Sequence, residues 1–199
     1  MDYTFVKGQF TEAQMESAII ALFEQQGYDY VHGESIHRTY EDILLLDDLQ
    51  SFLLSRYAKD GLSEVELQKI INRLSLIQAS PLYSGSKETF WLVNEGFDLQ
   101  RDDTGKVALH VDYIDFDEPG NNIFKVVNQY SVQGERLRRP DLLVFINGIP
   151  IAICEFKSAI NEDTTVYDAW EQITIRYNRD FPEEPERGKD ESYQKEDSA

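Results

Sequence analysis

The stretch Arg139-Pro-Asp-Leu-Leu-Val-Phe-Ile-Asn-Gly-Ile-Pro-Ile-Ala-Ile-Cys-Glu-Phe-Lys157 is the most informative part of the sequence. It contains two apolar runs, 141–146 and 149–156, with Asn147-Gly148 between them. Asn-Gly favours the tight turns that join antiparallel strands, because both residues tolerate a positive φ. The stretch therefore predicts a β-hairpin with an acidic residue near each open end.

Three side chains at that open end suit phosphodiester hydrolysis: Asp141, Glu155 and Lys157. Hydrolysis needs a hard cation that neutralises phosphate oxygens and lowers the pKa of an attacking water. Mg²⁺ does this with one or two protein carboxylates, and a neighbouring lysine can orient the water or offset charge on the phosphate. Glu155 and Lys157, two residues apart, share a strand face. The alternative is that Asp141 caps a turn and the other two form a surface pair.

The strand register tests the hypothesis of a metal site. A tight two-residue turn would place Asp141 opposite Cys154, so that Asp141 and Glu155 would lie on opposite faces of the sheet. A three-residue connection through 147–149 shifts the pairing by one and puts Asp141 opposite Glu155. The hypothesis therefore predicts a bulged or longer turn. Pro150, which cannot donate a ladder hydrogen bond, favours such an irregularity.

The composition is that of a folded protein without disulfides. The chain has 199 residues, of which 41% are hydrophobic, and one cysteine, Cys154. No cysteine–histidine cluster has the spacing of a zinc site. No apolar segment resembles a signal peptide or a membrane span. We therefore expect a soluble, cytoplasmic protein without a membrane partner.

The formal net charge of −18 argues against tight DNA binding by this chain alone, because phosphate neutralisation supplies much of the affinity of DNA-binding proteins. The charge is unevenly distributed, however. Residues 121–160 contain five basic and three acidic side chains, so the excess acid lies elsewhere. We expect another domain or subunit to deliver the duplex.

Helices and further strands are predicted around the hairpin. Thr11 and Gln14 have the spacing of a capping box and predict a helix that ends at Gly27. Ser84-Gly85-Ser86 is read as a loop, and Asp112, Asp115 and Asp117 are read as solvated acids at a strand edge. Two or three helices are expected at 41–77 as a packing or docking insertion, strands at 107–116 and 123–132, and a closing helix at about 165–179.

The sequence resembles the restriction (R) subunit of type I restriction–modification enzymes, which belong to the PD-(D/E)XK superfamily of nucleases. The resemblance covers about residues 10–180 and is most specific at 139–157. Its other parts are the opening helix and turn, and two strands (Thr11-Glu12, Gly27-Tyr28, Ile114-Asp115-Phe116, Asn122, Phe124, Val126, Asn128 and Gln129).

The resemblance implies an α/β fold with a PD-(D/E)XK core, a mixed β-sheet flanked by helices. It also implies Mg²⁺-dependent (or Mn²⁺-dependent) double-strand cleavage of unmodified foreign DNA after ATP-driven translocation. Asp141 and Glu155 would be metal ligands and Lys157 the catalytic lysine. The family often carries Gln-x-x-x-Tyr on the following helix; here Gln172 is a site candidate, whereas Tyr177 comes one residue late and is read as core.

Further candidates surround this set. Glu12 and Glu16 would either supply an extra carboxylate or be ordinary acids at the start of a helix, where the dipole favours them. Four arginines are candidates for DNA contact: Arg136, Arg138, Arg139 and Arg176.

The domain organisation follows from the resemblance. Residues 1–181 would form the endonuclease domain, and 182–199 a charged linker or disordered tail. Because no G-x-x-x-x-G-K-[ST] loop occurs in the chain, ATP use would belong to absent motor domains. The implied partners are double-stranded DNA and the methyltransferase and specificity subunits. The alternative is a non-catalytic, acidic subunit-docking module with a degenerate nuclease fold.

Overall fold

The computed structural model describes residues 11–77, 82–134 and 136–157, together with Trp170 and Ile173. The helices are α1 (Glu12–Gln25), α2 (Leu46–Arg56), α3 (Glu64–Ile77) and α4 (Leu82–Glu95). The strands are β1 (Asp29–His32), β2 (Phe97–Leu99), β3 (Leu109–Val111), β4 (Phe124–Asn128), β5 (Val132–Gln133), β6 (Leu137–Arg138), β7 (Leu142–Ile146) and β8 (Ile149–Cys154).

Four of these strands form a mixed sheet in the order β1-β4-β7-β8. β1 runs parallel to β4, whereas β4 with β7 and β7 with β8 are antiparallel pairs. One face packs against α1, and the other packs against the segment that leads into α2. The prediction of an α/β domain with a mixed sheet flanked by helices is confirmed.

The two faces of the sheet take alternate residues of β4 and β7. The α1 face is lined by Val126, Leu142, Val144 and Phe156, which pack on Ile20. The opposite face carries Val127, Tyr130, Leu143 and Phe145, which pack on Leu45. Both faces are buried, which explains why the sequence 142–146 is apolar without alternation.

The first helix begins as its capping box predicts. The backbone N–H of Thr11 donates to Oε1 of Gln14 at 3.0 Å, and the N–H of Gln14 donates to Oγ1 of Thr11 at 3.2 Å. The helix ends at Gln25, and Gly27 follows with φ +91°. Two backbone donors at the start of the helix are thereby satisfied.

The helical insertion is larger than the sequence indicates. Helices α2 and α3 fall within the predicted range 41–77, but α4 extends the insertion to Glu95. The reading of Ser84-Gly85-Ser86 as a loop is wrong, because these residues lie in α4. Serine and glycine are poor helix formers, yet Leu92 of the same helix is buried in a shared core, so packing overrides local propensity. That core also contains Tyr113, which follows β3, and residues of α2, α3, β2 and β3 (Leu49, Phe52, Leu53, Ile70, Leu74, Leu99 and Val111).

The expected strand at 107–116 is shortened to β3 because the acids after it organise a turn. Asp115 is 3% exposed and accepts hydrogen bonds from the N–H of Glu118 at 3.0 Å and from Nδ2 of Asn121 at 2.9 Å. Arg56 pairs with both Asp115 and Asp112. The reading of Asp112 and Asp115 as solvated acids is therefore wrong. These hydrogen bonds lower the pKa of Asp115, and the one from Asn121 has the largest effect.

A buried ion pair fixes α3 to the loop after β2. Ser63 and Glu66 form a capping box at the start of α3. The same carboxylate accepts from Nε of Arg101 at 2.8 Å and from Nη2 of Arg101 at 3.0 Å. Both side chains are almost fully buried, at 3% and 4% exposure. The hydrogen bonds from Arg101 are the largest cause of the lowered pKa of Glu66.

We predict that this ion pair makes the stability of the fold dependent on pH. Since the pKa of Glu66 is lowered by folding, its contribution is present above the pKa of an unfolded glutamate, about 4.3, and is lost as the pH falls from there through the lower folded pKa. Glu66→Gln should lose about 3 kcal/mol of unfolding free energy at neutral pH, and the difference from wild type should shrink below about pH 4.3.

Urea unfolding at a series of pH values measures both effects. Glu64→Gln is the matched control, because Glu64 lies in the same helical turn and is exposed. A Glu66→Gln loss that stays constant from neutral to acidic pH would contradict this role of the ion pair.

Candidate active site

The β7–β8 hairpin closes through a two-residue turn. Ile146 pairs with Ile149, and Asn147 and Gly148 between them have φ values of 51° and 76°. The three-residue connection considered from the sequence is therefore wrong. Both φ values are positive, as the tight turns that match the twist of β-hairpins require.

The turn is anchored to the rest of the fold by the side chain of Asn147. Asn147 is completely buried, and its Oδ1 accepts from the backbone N–H of Ile123 at 2.7 Å. Its Nδ2 donates to the carbonyl oxygen of Tyr113 at 2.8 Å and to Oδ1 of Asn122 at 2.8 Å. The asparagine therefore supports the turn in two ways, through its left-handed backbone and through a satisfied side chain.

The register irregularity that the metal-site hypothesis requires lies within β8. Phe145 pairs with Pro150, whereas Val144 pairs with Ala152. Ile151 is consequently an extra residue on β8, a β-bulge, and it follows directly after the proline. The predicted bulged or longer turn is therefore wrong, but the register shift that the metal-site hypothesis requires is present within β8, directly after Pro150.

The bulge brings the two acids into register. Leu142 pairs with Cys154 at the end of the ladder, and one further step places Asp141 opposite Glu155. Residues opposite one another on neighbouring strands share a face. The preceding pair on that face, Leu143 with Ile153, lies opposite the α1 side of the sheet. The acids therefore continue the row of side chains on the face away from α1.

Backbone contacts fix Asp141 at the ends of three strands. Its Oδ2 accepts a hydrogen bond from the N–H of Phe156 at 2.7 Å, so the carboxylate reaches the residue that follows Glu155. Its carbonyl oxygen accepts from the N–H of Gln129 at 3.2 Å, just after β4. Asp141 is half-buried, so the side chain is held in place, and the N–H of Phe156 occupies only one of its two carboxylate oxygens.

Lys157 follows at the same end of the sheet. Phe156 is buried in the cluster under α1, and extended chain alternates its faces. Glu155 and Lys157, on either side of Phe156, are thereby directed to the face that carries Asp141. Both are half-buried.

The acids of α1 belong to the other face. Oε1 of Glu16 accepts a hydrogen bond from Nδ2 of Asn128 at 2.6 Å, and Oδ1 of Asn128 accepts from the hydroxyl of Tyr30 at 3.1 Å. Glu16 is half-buried, whereas Glu12 is exposed in the first turn of α1. Neither proposed reading of Glu16, as a site acid or as a solvated acid, describes this hydrogen bond.

The remaining site candidates from the sequence are the arginines before Asp141 and the residues of the predicted closing helix. Arg136 and Arg139 are exposed and Arg138 is half-buried, all shortly before Asp141 in the chain. Gln172, Arg176 and Tyr177 lie outside the described residues, as does most of the predicted closing helix; within it, Trp170 is exposed and helical and Ile173 is half-buried.

Comparison with known proteins identifies the family. The chain matches the family model described as Type I restriction enzyme R protein N terminus over residues 9–187. The chain belongs to this family. The resemblance found at 139–157 is thereby confirmed at the level of the R-subunit N terminus.

Named relatives of this R-protein N terminus agree. The MjaIXP endonuclease subunit of Methanocaldococcus jannaschii is 33% identical over 161 residues, which are 75% of this chain and 15% of the relative. The HindI type I restriction enzyme endonuclease subunit of Haemophilus influenzae is 21% identical over 172 residues, 81% of this chain and 16% of the relative. The SauMSSORF170P type I restriction enzyme endonuclease subunit of Staphylococcus aureus is 26% identical over 151 residues, which are 74% of this chain and 15% of the relative. The chain thus spans only 15 to 16% of the length of these relatives.

The side chains of this R-protein N terminus fit a Mg²⁺ ion that takes only one or two of its ligands from the protein. Among the described residues, no group of three or more His, Cys, Asp or Glu side chains is arranged to hold a metal. Two opposed carboxylates nevertheless match the one or two that Mg²⁺ takes, with water and phosphate completing its shell. In the described part of the chain, no helix is both long and apolar enough for a membrane span.

We predict that Gly148 is required for the hairpin to dock on α2. A Cβ at Gly148 would lie 2.1 Å from the carbonyl oxygen of Leu45, whereas a Cβ at Gly27 would have no atom within 4 Å. Both glycines have positive φ, so Gly27→Ala measures the backbone strain alone, about 1 kcal/mol. Gly148→Ala should lose several kcal/mol more, as measured by urea unfolding. Equal losses in the two variants would contradict the close packing.

We also predict that Asp141 has a structural role that separates its two conservative replacements. Asp141→Ala leaves the N–H of Phe156 without its acceptor and should cost about 1–2 kcal/mol of unfolding free energy. Asp141→Asn keeps an acceptor oxygen and should lose less than half of that. Chemical denaturation measures both, and an Asn variant as unstable as the Ala variant would exclude the hydrogen bond as the cause.

Proposed function

We propose that this chain is a PD-(D/E)XK endonuclease domain that hydrolyses DNA phosphodiester bonds with Mg²⁺, or Mn²⁺ in its place. The observation that carries the proposal is the register of β7 and β8, in which the bulge at Ile151 lets Leu142 pair with Cys154. Continued by one residue, this register sets Asp141 opposite Glu155. Lys157 stands two residues further on. The endonuclease names of the relatives support the same activity.

Each residue has a distinct role in this proposal. Asp141 and Glu155 hold the metal, and Phe156 fixes the Asp141 carboxylate by its N–H so that the free oxygen points to one position. The ion, when bound, lowers the pKa of a water and offsets phosphate charge. Lys157 orients the attacking water and balances the negative charge that develops on the phosphate. Hydrolysis leaves a 3′-hydroxyl and a 5′-phosphate.

Further parts of the protein complete the site and deliver DNA. Gln172 is proposed as a further catalytic residue, and Arg136, Arg138, Arg139 and Arg176 are proposed to contact the DNA. Because the relatives are more than six times longer than the matched segment, we place ATP-driven translocation in motor domains beyond this chain. Methyltransferase and specificity subunits would supply recognition.

Two observations favour a second candidate, a docking module without catalytic activity. The formal charge of −18 opposes DNA binding, and α4 exposes the adjacent rings of Phe90 and Trp91, at 61% and 52%. Exposed aromatic pairs are typical of protein contacts. The two candidates differ in whether the acids at the strand ends are needed for DNA cleavage.

We predict that plasmid cleavage by the assembled restriction complex requires divalent ions and the three site residues. Asp141→Asn and Lys157→Ala should each lower the cleavage rate at least about 100-fold, because each removes a group that acts on the reacting phosphate or its water. Asp117→Asn and Lys106→Ala are matched controls, since both residues are exposed and lie outside the site. These controls should cut at the wild-type rate.

Calorimetric titration with Mg²⁺ separates metal binding from later steps. Wild type should bind the ion, and Glu155→Gln should bind it at least about tenfold more weakly. Cleavage that survives in all three site variants would favour the docking module and exclude this site assignment.

A further inference from the structure

Two non-glycine residues have a left-handed backbone among those described: Asn147 at φ 51° and Gln129 at φ 52°. Such a conformation is unfavourable for residues with a Cβ, and asparagine tolerates it better than glutamine. The two residues lie at opposite ends of β7, since Asn147 follows the strand and Gln129 hydrogen-bonds to the residue before it.

The fold explains the conformation of Asn147 but not that of Gln129. The buried side chain of Asn147 makes three hydrogen bonds that hold the turn. The side chain of Gln129 is half-buried and makes no hydrogen bond with any part of the chain that the structure describes. Its amide is therefore available to a ligand.

The backbone at Gln129 is held from two directions. A Cβ on Gly33 would lie 2.7 Å from the carbonyl oxygens of both Asn128 and Gln129, so that only a glycine allows this approach. On the α1 face, Tyr30 and Glu16 fix the side chain of Asn128. Unfavourable backbone conformations that their surroundings enforce in this way are concentrated at functional sites.

The register places Gln129 beside the candidate metal ligands. Asn128 pairs with Leu142 at the end of the β4–β7 ladder, and the next step puts Gln129 opposite Asp141, as the 3.2 Å hydrogen bond between their backbones confirms. Asp141 in turn stands opposite Glu155. The ends of three neighbouring strands thus carry an amide and two carboxylates in one row.

We propose that Gln129 is a substrate-binding residue of this site, and that its side-chain amide donates a hydrogen bond to an oxygen of the DNA phosphate. The proposal rests on the proposed nuclease function. Two carboxylates repel a phosphate, and a third acid at this position would add to the repulsion. A lysine at this position would compete with the metal for the carboxylates. A neutral amide donates a hydrogen bond without this competition.

The backbone conformation provides an unusually clean test. Gln129→Gly removes the amide and at the same time relieves the left-handed strain, so the variant should be at least as stable as wild type in urea unfolding. Cleavage of plasmid DNA by the assembled complex should fall about 10- to 100-fold, as expected for one hydrogen bond to a charged group. Gln129→Asn keeps an amide and tolerates the conformation, and its rate should fall between the two.

Metal affinity distinguishes substrate contact from ligand positioning. Calorimetric Mg²⁺ binding by Gln129→Gly should equal that of wild type, whereas Glu155→Gln loses it. Gln100→Gly, at an exposed glutamine outside the site, is the matched control and should cut normally. Wild-type cleavage by Gln129→Gly, or weakened Mg²⁺ binding in it, would overturn the proposal.

Asp141→Asn, assayed in parallel, separates the two levels of inference. If Asp141→Asn abolishes cleavage while Gln129→Gly cuts at the wild-type rate, the substrate contact is refuted and the nuclease site stands. If Asp141→Asn also cuts at the wild-type rate, the proposed function fails, and the role of Gln129 fails with it.

Discussion

The whole arrangement depends on one extra residue in β8. Asn147 and Gly148 impose a tight turn, and a tight turn followed by regular pairing would put Asp141 opposite Cys154. Ile151 shifts the pairing by one, so that Ala152 and Cys154 follow the α1 face while Ile153 follows the other. The same shift determines which face Glu155 takes. A single bulge therefore sets Cys154 and Ile153 against the apolar clusters on opposite faces and gives the two acids a common face.

The helical insertion supports this hairpin from its far end. Gly148 lies against Leu45 just before α2, and its carbonyl oxygen accepts from the N–H of Leu45 at 2.9 Å. Asn147 ties the same turn to Ile123 and Tyr113. The acids lie at the opposite end of β7, roughly 17 Å away for a strand of this length. The start of the insertion therefore holds the hairpin at its turn end.

The sequence was sufficient where an element is specified by its own residues. The capping box of Thr11 and Gln14 and the Asn-Gly turn are local signals, and each appears in the structure. The sequence was insufficient where contacts with other parts of the chain determine the local structure. Asp115 leaves the strand pattern because Arg56 and Asn121 bind it, and Ser84-Gly85-Ser86 is helical through the packing of α4. The two acids were evident from the sequence. Whether they share a face of the sheet depends on the position of the bulge, and the sequence does not decide between a bulge in the turn and a bulge in the strand.

Under the proposed function, the charge of the chain suits an enzyme that acts only on DNA brought to it. At physiological salt, fields decay over about 8 Å, so exposed acids farther than this from the strand ends have little effect on a phosphate already in the site. They do oppose the approach of free DNA, because the net charge of −18 repels it over the whole surface and lowers the rate of encounter. Tethering to a complex that holds the duplex removes this barrier by raising the effective concentration of DNA, to roughly millimolar for a short linker. Under the proposed function, the acidic surface thus protects DNA that has not been delivered, while the strand ends remain competent towards DNA that has.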